Sequence, residues 1–309
     1  MNLFSLAKAF PTEQDALAYW IKARWPKGVH CLACDHDKCY VVKTMSKAAK
    51  GKTGKPIQLF ECAECGLHFS ATTGTLFHDS HLPLQKWFMA IALMVESKKG
   101  ISANQIKRHI GVTYKTAWYL CQRIRQAMQE TQTEPMGSTG QVVEIDEMRV
   151  GGKRTGTGVK AGLQNKVKVL GIIERGGRVH LQTITNGKQE TLRPILDAKL
   201  SPAAKAVVTD GGGAYRSLIP AEKHMAGNHS EEIRKGGKLS NQTVEGAFSL
   251  FKRGVVGSYH KLGTEHLDRY LGEFCWRQNR RGVQPWMFDM ALVSLAENKP
   301  MPYKELTRF

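Results

Sequence analysis

Residues 141–150, QVVEIDEMRV, decide the fold of the C-terminal half of this chain. The β-branched residues and the glycines that follow them predict a β-strand. Residues two apart lie on one face of a strand, so Glu144 and Asp146 are predicted to point the same way. Burying an unpaired carboxylate is costly, so an acid on such a strand requires a reason. One explanation is an edge strand with a solvated face, and the other is an acidic functional site.

Two further acids downstream favour the acidic site. Asp210 follows a short apolar strand predicted over residues 206–209. Glu245 lies in SNQTVEGAFSLFKRG, residues 240–254, whose periodicity predicts an amphipathic helix. Carboxylate oxygens suit Mg²⁺ and Mn²⁺, and two such ions about 4 Å apart stabilise an in-line displacement at phosphorus. The sequence therefore predicts that Asp146, Asp210 and Glu245 hold two Mg²⁺ or Mn²⁺ ions; taken alone, Glu245 is typical of a solvated helix surface.

The charge of the chain indicates an anionic partner. Its 309 residues include 45 lysines and arginines against 27 aspartates and glutamates, a formal charge of +18. Because this excess is spread along the chain, it indicates a folded surface that faces a polyanion, and DNA is the first candidate. A ribosomal protein or an enzyme with a basic surface is the alternative. The sequence has no run of 18 apolar residues and no signal-peptide pattern at its N-terminus, so it predicts a cytoplasmic protein.

Four of the seven cysteines form two pairs, Cys31-x2-Cys34 and Cys62-x2-Cys65. Disulfides are rare in a reducing compartment, whereas two such pairs match the four thiolates of a tetrahedral zinc site. The segment between them resembles two short strands around a loop rich in lysine and glycine, as in a zinc ribbon. The sequence therefore predicts one structural Zn²⁺. A redox pair is disfavoured because no βαβ pattern surrounds the cysteines.

Residues 101–128, ISANQIKRHIGVTYKTAWYLCQRIRQAM, predict two helices joined by a turn at residues 111–113. Apolar residues at helical spacing allow the helices to pack on each other. This pattern is typical of a helix-turn-helix, whose second helix enters the major groove of DNA. The residues predicted to meet DNA are Thr113, Tyr114, Lys115 and Thr116. An ordinary αα-hairpin is the alternative, and the neighbouring basic zinc ribbon favours DNA binding.

The order of the elements after residue 140 defines the fold class. Three strands, a helix, another strand and further helices indicate an α/β fold with a mixed sheet. Polar residues over 130–140 predict a linker before it. We therefore expect a zinc ribbon with an N-terminal helix (1–78), a helix-turn-helix domain (79–135), a catalytic domain (136–285), and a C-terminal helix and tail (286–309).

Spacing and local motifs together resemble a known family. The acids Asp146, Asp210 and Glu245, with 34 residues between the second and the third, resemble the DDE signature of RNase H-like transposases. Lys252, seven positions after the third acid, is similar to the basic residue of the DDE(K) form. The motifs that resemble one group of bacterial insertion-sequence transposases are Cys62-x2-Cys65-x3-FSATTGTLF, Trp87, ISANQI at 101–106, YKTAW at 114–118, and VEGAFSLFKRGVVGSYHKLGTEHLDRYLGEFCWRQNRR at 244–281. The resemblance extends to about residue 285.

This resemblance implies an RNase H-like mixed sheet flanked by helices, and the activity of a DNA transposase. The implied reaction is hydrolytic cleavage at the transposon ends, followed by attack of the freed 3′-hydroxyl on target DNA. Asp146 and Asp210 would bridge the metal ions, and Glu245 would hold one of them. Lys252 would contact the DNA backbone near the scissile bond. Further candidates for a DNA-facing surface are Arg253, Tyr259, His260, Arg277, Asn279, Arg280 and Arg281.

The implied partners are the terminal inverted repeats of the transposon and the target DNA. Because one chain handles one DNA end at a time, we expect at least a homodimer in the active complex. Some members of the group have asparagine at the third acidic position, whereas this chain has Glu245, with Asn241 one turn before it. Two other functions stay open: an RNase H-like nuclease or resolvase that cuts without joining, and a DNA-binding regulator with an inactive catalytic domain. The three intact acids argue against the regulator.

Overall fold

The computed structural model describes residues 3–45, 56–129, 134–151, 166–210, 212–226 and 241–308. The chain divides into two compact units. The first comprises Met1–Glu96, Ala103–Ala127 and Pro285–Phe309, and the second comprises Ser97–Ser102 and Met128–Gln284. Within the described ranges, no helix is long and apolar enough to cross a membrane. Residues 130–133 of the predicted linker lie outside the described residues.

The described residues form helices and two β-sheets, joined by turns and loops. The elements up to residue 127 are α1 (Leu3–Ala9), α2 (Glu13–Arg24), β1 (Cys39–Met45), β2 (Pro56–Cys62), β3 (His68–Ser70), α3 (Leu84–Glu96), α4 (Ala103–Ile110) and α5 (Tyr114–Ala127). The later elements are β4 (Val142–Val150), β5 (Val167–Glu174), β6 (Val179–Ile184), α6 (Gln189–Lys199), β7 (Ala206–Thr209), α7 (Gly213–Arg216), β8 (His224–Ala226), α8 (Gln242–Gly254), α9 (Leu267–Asn279), α10 (Met287–Glu297) and α11 (Tyr303–Leu306). A π-helical turn (Val255–Tyr259) directly follows α8.

The first sheet is small and antiparallel, in the order β1-β2-β3. Phe60 of β2 and Phe69 of β3 pack edge-on against Trp25, which directly follows α2. The indole N–H of Trp20 donates to the carbonyl of Ala71 at 2.7 Å. Helix α2 therefore anchors this sheet through aromatic packing and a buried hydrogen bond.

A carboxylate from α2 fixes the start of α3. Glu13 accepts hydrogen bonds from the backbone N–H groups of Leu84, at 2.7 Å, and Gln85, at 3.3 Å. The first N–H groups of a helix have no partner within it, and the helix dipole favours a negative charge there. The acid thereby ties together two helices that are distant in the sequence.

The C-terminal segment, to which the sequence assigns no role, contributes to the core of the first unit. Helix α10 packs against α2, α3 and α5. The ring of Phe288 contacts those of Phe10 and Phe88. The hydroxyl of Tyr119 on α5 donates to the carbonyl of Met301 at 2.6 Å, just before α11. The last 25 residues of the chain therefore stabilise the N-terminal helices.

The second sheet has the order β6-β5-β4-β7-β8. Strand β5 is antiparallel to both β4 and β6, whereas β7 is parallel to both β4 and β8. The predicted fold class, a mixed α/β sheet with helices preceded by a zinc-ribbon-like segment, is therefore confirmed. The three-residue strand β8 was not predicted from the sequence.

Side chains alternate between the two faces of β4, as the sequence predicts. Val143 and Ile145 belong to one hydrophobic core, which includes residues of α6. Met148 and Val150 belong to another core, which includes residues of α8 and α9. By the same alternation, Glu144 lies on the face that α8 covers, and it accepts hydrogen bonds from that helix.

Gly171 of β5 lets α8 approach the sheet beside the acids. It is the cross-strand partner of Asp146. A Cβ atom at this position would lie 2.7 Å from the ring of Phe248 and 3.0 Å from Val244, both on the buried face of α8. We predict that Gly171→Ala lowers the free energy of unfolding by about 1–3 kcal/mol, because overpacking displaces side chains or the helix. Urea unfolding of the two proteins measures the difference.

Gly246→Ala on α8 is the matched control for this prediction. Among the described residues, and apart from the neighbouring backbone of α8 itself, a Cβ at Gly246 would meet nothing within 4 Å. Alanine forms helices better than glycine, so this variant should be as stable as the wild type or more stable by up to about 1 kcal/mol. Equal stability of Gly171→Ala and Gly246→Ala would rule out the close approach of α8.

Candidate active site and metal centre

Strand register brings Asp146 and Asp210 to one level of the sheet. The parallel pairing of β4 with β7 extends to Glu144 opposite Val208. Asp146 and Asp210 each lie two residues further along these strands. The backbone N–H of Gly212 donates to the Asp210 carboxylate at 3.1 Å and holds it just beyond β7. Both acids therefore lie where the parallel strand ends, the edge at which α/β sheets bind ligands.

Glu245 lies in the first turn of α8. Its backbone N–H donates to the carbonyl of Asn241 at 3.0 Å. The start of this helix is attached to the sheet by Glu144, whose carboxylate accepts from the N–H groups of Thr243, at 2.9 Å, and Val244, at 3.0 Å. The third predicted acid is thus carried on a helix end that an acid of β4 binds directly.

The charges of the two other predicted acids act on Asp146. Burial, together with the negative charges of Asp210, Glu245 and Glu147, raises the pKa of Asp146 to about 6, against the opposing effect of a hydrogen bond from the backbone N–H of Glu147. A carboxyl group whose pKa is raised by other carboxylates lies where a cation is bound favourably.

Among the residues that the structure describes, the ribbon cysteines form the group of three or more Cys, His, Asp or Glu whose ligand atoms all lie within 4.8 Å of one another. At least one pair among the three acids is therefore farther apart than that. Their oxygens are nevertheless the donor atoms that Mg²⁺ and Mn²⁺ prefer, so the residues fit a divalent cation of this kind.

We predict that Asp146→Asn stabilises the protein in buffer free of Mg²⁺ and Mn²⁺. The folded-state pKa lies above the ordinary aspartate pKa of 3.8, so the ionised carboxylate opposes folding at neutral pH. The shift corresponds to about 3 kcal/mol, and solvent screening of this partly exposed group reduces the expected gain to about 1 kcal/mol. Thermal unfolding should show this gain above pH 6 and lose it progressively as the pH falls from 6 to below 3.8, where the wild-type carboxyl becomes protonated in both states.

Asp197→Asn, at an exposed position of α6, is the control for this stability measurement. It should leave the melting temperature unchanged across the same pH range, because exposed side chains away from special contacts contribute little to stability. A melting temperature of Asp146→Asn below that of the wild type at pH 7 would contradict the electrostatic account.

Glu147, the next acid of β4, has its own partners. Its carboxylate accepts a hydrogen bond from the Lys168 ammonium at 2.7 Å and another from the Tyr215 hydroxyl at 3.0 Å. Burial raises the pKa of Tyr215, and the charge of Glu147 raises it further, so Tyr215 remains a protonated donor. Neither this group nor the contacts of Glu144 are predicted from the sequence. The one signal available was the three acids of VEIDE at residues 143–147.

Three of the basic residues predicted to contact DNA lie at or just after the end of α8. Lys252 and Arg253 are exposed in its last turn. His260 is exposed just after the π-helical turn and has a φ of +60°. Arg280, the fourth, directly follows α9, and its guanidinium lies 4.6 Å from the ring centroid of Trp276. The exposed positions give this end of the helix a positive surface.

Arg277, which was predicted to face DNA, instead lies inside the protein. It is 6% exposed and forms an ion pair with Glu273, one turn earlier in α9. The hydroxyl of Tyr259 donates to the same carboxylate at 2.9 Å. Asn279 is hydrogen-bonded to the backbone of Val179 in β6. The prediction for Arg277 is wrong because a buried acid neutralises its charge, which the spacing of basic residues does not reveal.

In the first unit, three residues separate helix α4 from helix α5. These two helices form the predicted helix-turn-helix segment. The hydroxyl of Thr113, just before α5, accepts from the N–H of Thr116 at 3.2 Å. Tyr114 is 50% exposed. The Lys115 ammonium lies 4.6 Å from the ring centroid of Tyr303 in α11. The predicted DNA-contacting residues therefore lie together at the start of α5, and the C-terminal segment supports one of them.

The ribbon cysteines form one compact cluster. The sulfur atoms of Cys31 and Cys65 lie 3.5 Å apart, and those of Cys34 and Cys62 lie 3.6 Å apart. Backbone N–H groups, first that of Cys34, lower the pKa of Cys31 to about 6, whereas burial and the neighbouring thiols raise the pKa of Cys34, so the thiols of the cluster do not all ionise together without a cation. Thiolates are the zinc-binding form of cysteine, and a cation relieves the repulsion between them. The donor set and its closeness support a structural zinc ion.

A four-cysteine ribbon followed by a mixed α/β domain is the arrangement that the sequence predicts for a zinc-ribbon transposase. Comparison with protein families agrees with this class. Residues 139–279 match the ISXO2-like transposase domain. Residues 11–68 match the transposase zinc-ribbon domain. The chain belongs to the insertion-sequence transposases that carry these two domains, so the family predicted from the sequence is confirmed.

The chain is also similar to a protein from a mobile element. An uncharacterized protein in the transposable element ISH50 of Halobacterium salinarum is 26% identical to it over 291 residues. The match covers 88% of this chain and 92% of the relative. The similarity therefore includes both the ribbon and the α/β domain.

Proposed function

We propose that this transposase cuts DNA at the ends of its element and joins the freed 3′-hydroxyl groups to target DNA. The observation that carries the proposal is the group formed by Asp146, Asp210 and Glu245. Burial, followed by the charges of the other two acids, raises the pKa of Asp146 to about 6. Functional sites are where proteins retain such unfavourable groups.

In this proposal the acids hold two Mg²⁺ or Mn²⁺ ions. Asp146 and Asp210 would lie between the ions, and Glu245 would hold one of them. When bound, the ions supply electrostatic stabilisation of the attacking and leaving oxygens during an in-line displacement at phosphorus.

Basic side chains of the second unit would hold the DNA backbone. Lys252 lies seven residues after Glu245 on the same helix, and Arg253 and His260 follow it on the exposed side. Arg280 would add a further positive charge. Phosphate contacts of this kind position the duplex without reading its sequence, and they make binding weaken steeply as salt is added.

Recognition of the element end is assigned in this proposal to the first unit. Thr113, Tyr114, Lys115 and Thr116, at the start of α5, would enter the major groove as a helix-turn-helix does. The partners are then the terminal inverted repeats and the target DNA. Each chain acts on one end, so the active complex is a homodimer or a larger assembly.

A joining assay with the full-length, zinc-loaded protein tests this function. The substrates are a labelled duplex in which flanking DNA follows the terminal repeat, a second duplex that already ends at the 3′ end of the repeat, and a supercoiled plasmid as target. We expect cleavage of the first duplex at the repeat and covalent transfer of both to the plasmid with Mg²⁺ or Mn²⁺, and no product without these ions. A 3′-dideoxy end on the second duplex should abolish its transfer, because it lacks the attacking hydroxyl.

The same assay separates the alternative functions. Metal-dependent cleavage without transfer, on a duplex with a free 3′-hydroxyl, would identify a nuclease or resolvase. Tight binding of the repeat with neither cleavage nor transfer would identify a DNA-binding regulator. Both outcomes would overturn the proposed reaction.

A further inference from the structure

Glu144 is a buried carboxylate, 1% exposed, with a full set of hydrogen-bond donors. One oxygen accepts from the backbone N–H groups of Thr243, at 2.9 Å, and Val244, at 3.0 Å. The other accepts from the Thr243 hydroxyl at 2.9 Å and from the Arg175 guanidinium at 2.6 Å. These hydrogen bonds are strengthened by the charge of the carboxylate, and together they offset the cost of removing it from water. Since all four donors are directed at it, Glu144 is not available as a ligand for a metal ion.

These contacts join the two elements that carry the acidic site. Glu144 lies two residues before Asp146 on the same face of β4. Thr243 lies two residues before Glu245 on α8. The residue before the helix, Asn241, makes no side-chain cap, so a carboxylate from the sheet binds the N–H groups of the first turn.

We propose that Glu144 is a positioning residue that fixes Glu245 relative to Asp146, and thereby sets the affinity of the acidic site for divalent metal. This inference rests on the proposed function, because it assumes that Glu245 is a metal ligand. Arg175 balances the charge of Glu144, so the positioning acid adds little to the repulsion among the three ligands.

Glu144→Gln is the variant that tests this role. The amide keeps the size of the side chain, removes its charge and leaves one acceptor oxygen in place of two. It cannot accept from both the helix N–H groups and Arg175, so the first turn of α8 should loosen. Residues that hold a metal ligand in place change metal affinity by about 10- to 100-fold when altered, and we expect a loss in this range.

Mn²⁺ binding to the full-length, zinc-loaded protein is measured without DNA, from the electron paramagnetic resonance signal of free Mn²⁺. Glu144→Gln should bind Mn²⁺ about 10- to 100-fold more weakly than the wild type. Hydrogen exchange should become faster in peptides covering residues 242–248. Saturating Mn²⁺ should restore most of the joining activity, which a merely structural defect would not allow. Glu190→Gln, exposed on α6, should match the wild type in all three measurements.

Glu245→Gln separates failure of this inference from failure of the proposed function. If the wild type and Glu245→Gln bind Mn²⁺ equally, the metal site itself is wrong. If Glu245→Gln weakens binding and Glu144→Gln does not, the metal site stands and the positioning role is overturned. Should Glu144→Gln fail to fold, Thr243→Val removes one donor and keeps the charge; unchanged Mn²⁺ affinity and unchanged exchange in that variant would also overturn the role.

Discussion

Asp210→Asn and Glu245→Gln are expected to lose DNA cleavage and joining by about a thousandfold or more while still binding the element end. Each variant removes an anionic oxygen donor from the proposed metal site. Metal ions contribute several kcal/mol of transition-state stabilisation, and each 1.36 kcal/mol changes the rate about tenfold. Binding should persist because the proposed recognition residues lie in the first unit. Single-turnover cleavage rates and gel-shift titrations measure the two properties separately.

Matched substitutions on α6 control for the loss of a charge. Asp197 and Glu190 are exposed on the same unit, and Asp197→Asn and Glu190→Gln make the same chemical changes away from the acidic group. Both controls should cleave at the wild-type rate. Wild-type rates in Asp210→Asn or Glu245→Gln would remove that residue from the active site.

Loss of zinc is the change with the largest expected effect on folding. Cys62→Ser removes one of four thiolates whose sulfur atoms all lie within 4.8 Å of one another. In small zinc domains, metal binding contributes about 10–16 kcal/mol to folding. The three-stranded sheet of the ribbon offers little hydrophobic core to replace it, with Phe60 and Phe69 as its buried aromatic residues. We expect Cys62→Ser to lose zinc, to become sensitive to proteolysis between residues 30 and 70, and to bind the element end poorly.

Cys39→Ser is the control for this prediction. Cys39 lies in the same ribbon, outside the cluster, with its sulfur 3.9 Å from the carbonyl of His36. The variant should retain one zinc ion per chain by elemental analysis and bind DNA as the wild type does. Retention of zinc and of protease resistance by Cys62→Ser would show that the cluster is not a structural metal site.

Local periodicity explains why much of the second unit could be predicted. The alternation of residues 142–150 is encoded in neighbouring side chains, and the strand spans Val142–Val150. The positions of Asp146 and Asp210 follow from their places on short apolar strands. The helix that carries Glu245 likewise has a clear apolar stripe. Each of these features depends on fewer than fifteen consecutive residues.

The remaining features depend on contacts between distant parts of the chain. Glu144 binds a helix that begins about a hundred residues later, and a single sequence does not reveal that partner. The contacts of α10 with α2 and α3 join residues that are even farther apart in the sequence. Arg277 was predicted to face DNA because its neighbours are basic, whereas a buried acid, Glu273, determines its position. Strand β8 is too short to give a pattern.

The metal dependence of Asp210→Cys tests the central claim most directly. A thiolate is a softer ligand than a carboxylate, so it binds Mg²⁺ poorly and accepts Mn²⁺ more readily. If Asp210 holds a metal ion during catalysis, Asp210→Cys should be inactive in joining with Mg²⁺ and partly active with Mn²⁺, while Asp210→Asn stays inactive with both. Equal activity of Asp210→Cys with the two ions, or none with either, would contradict the claim that Asp210 is a metal ligand.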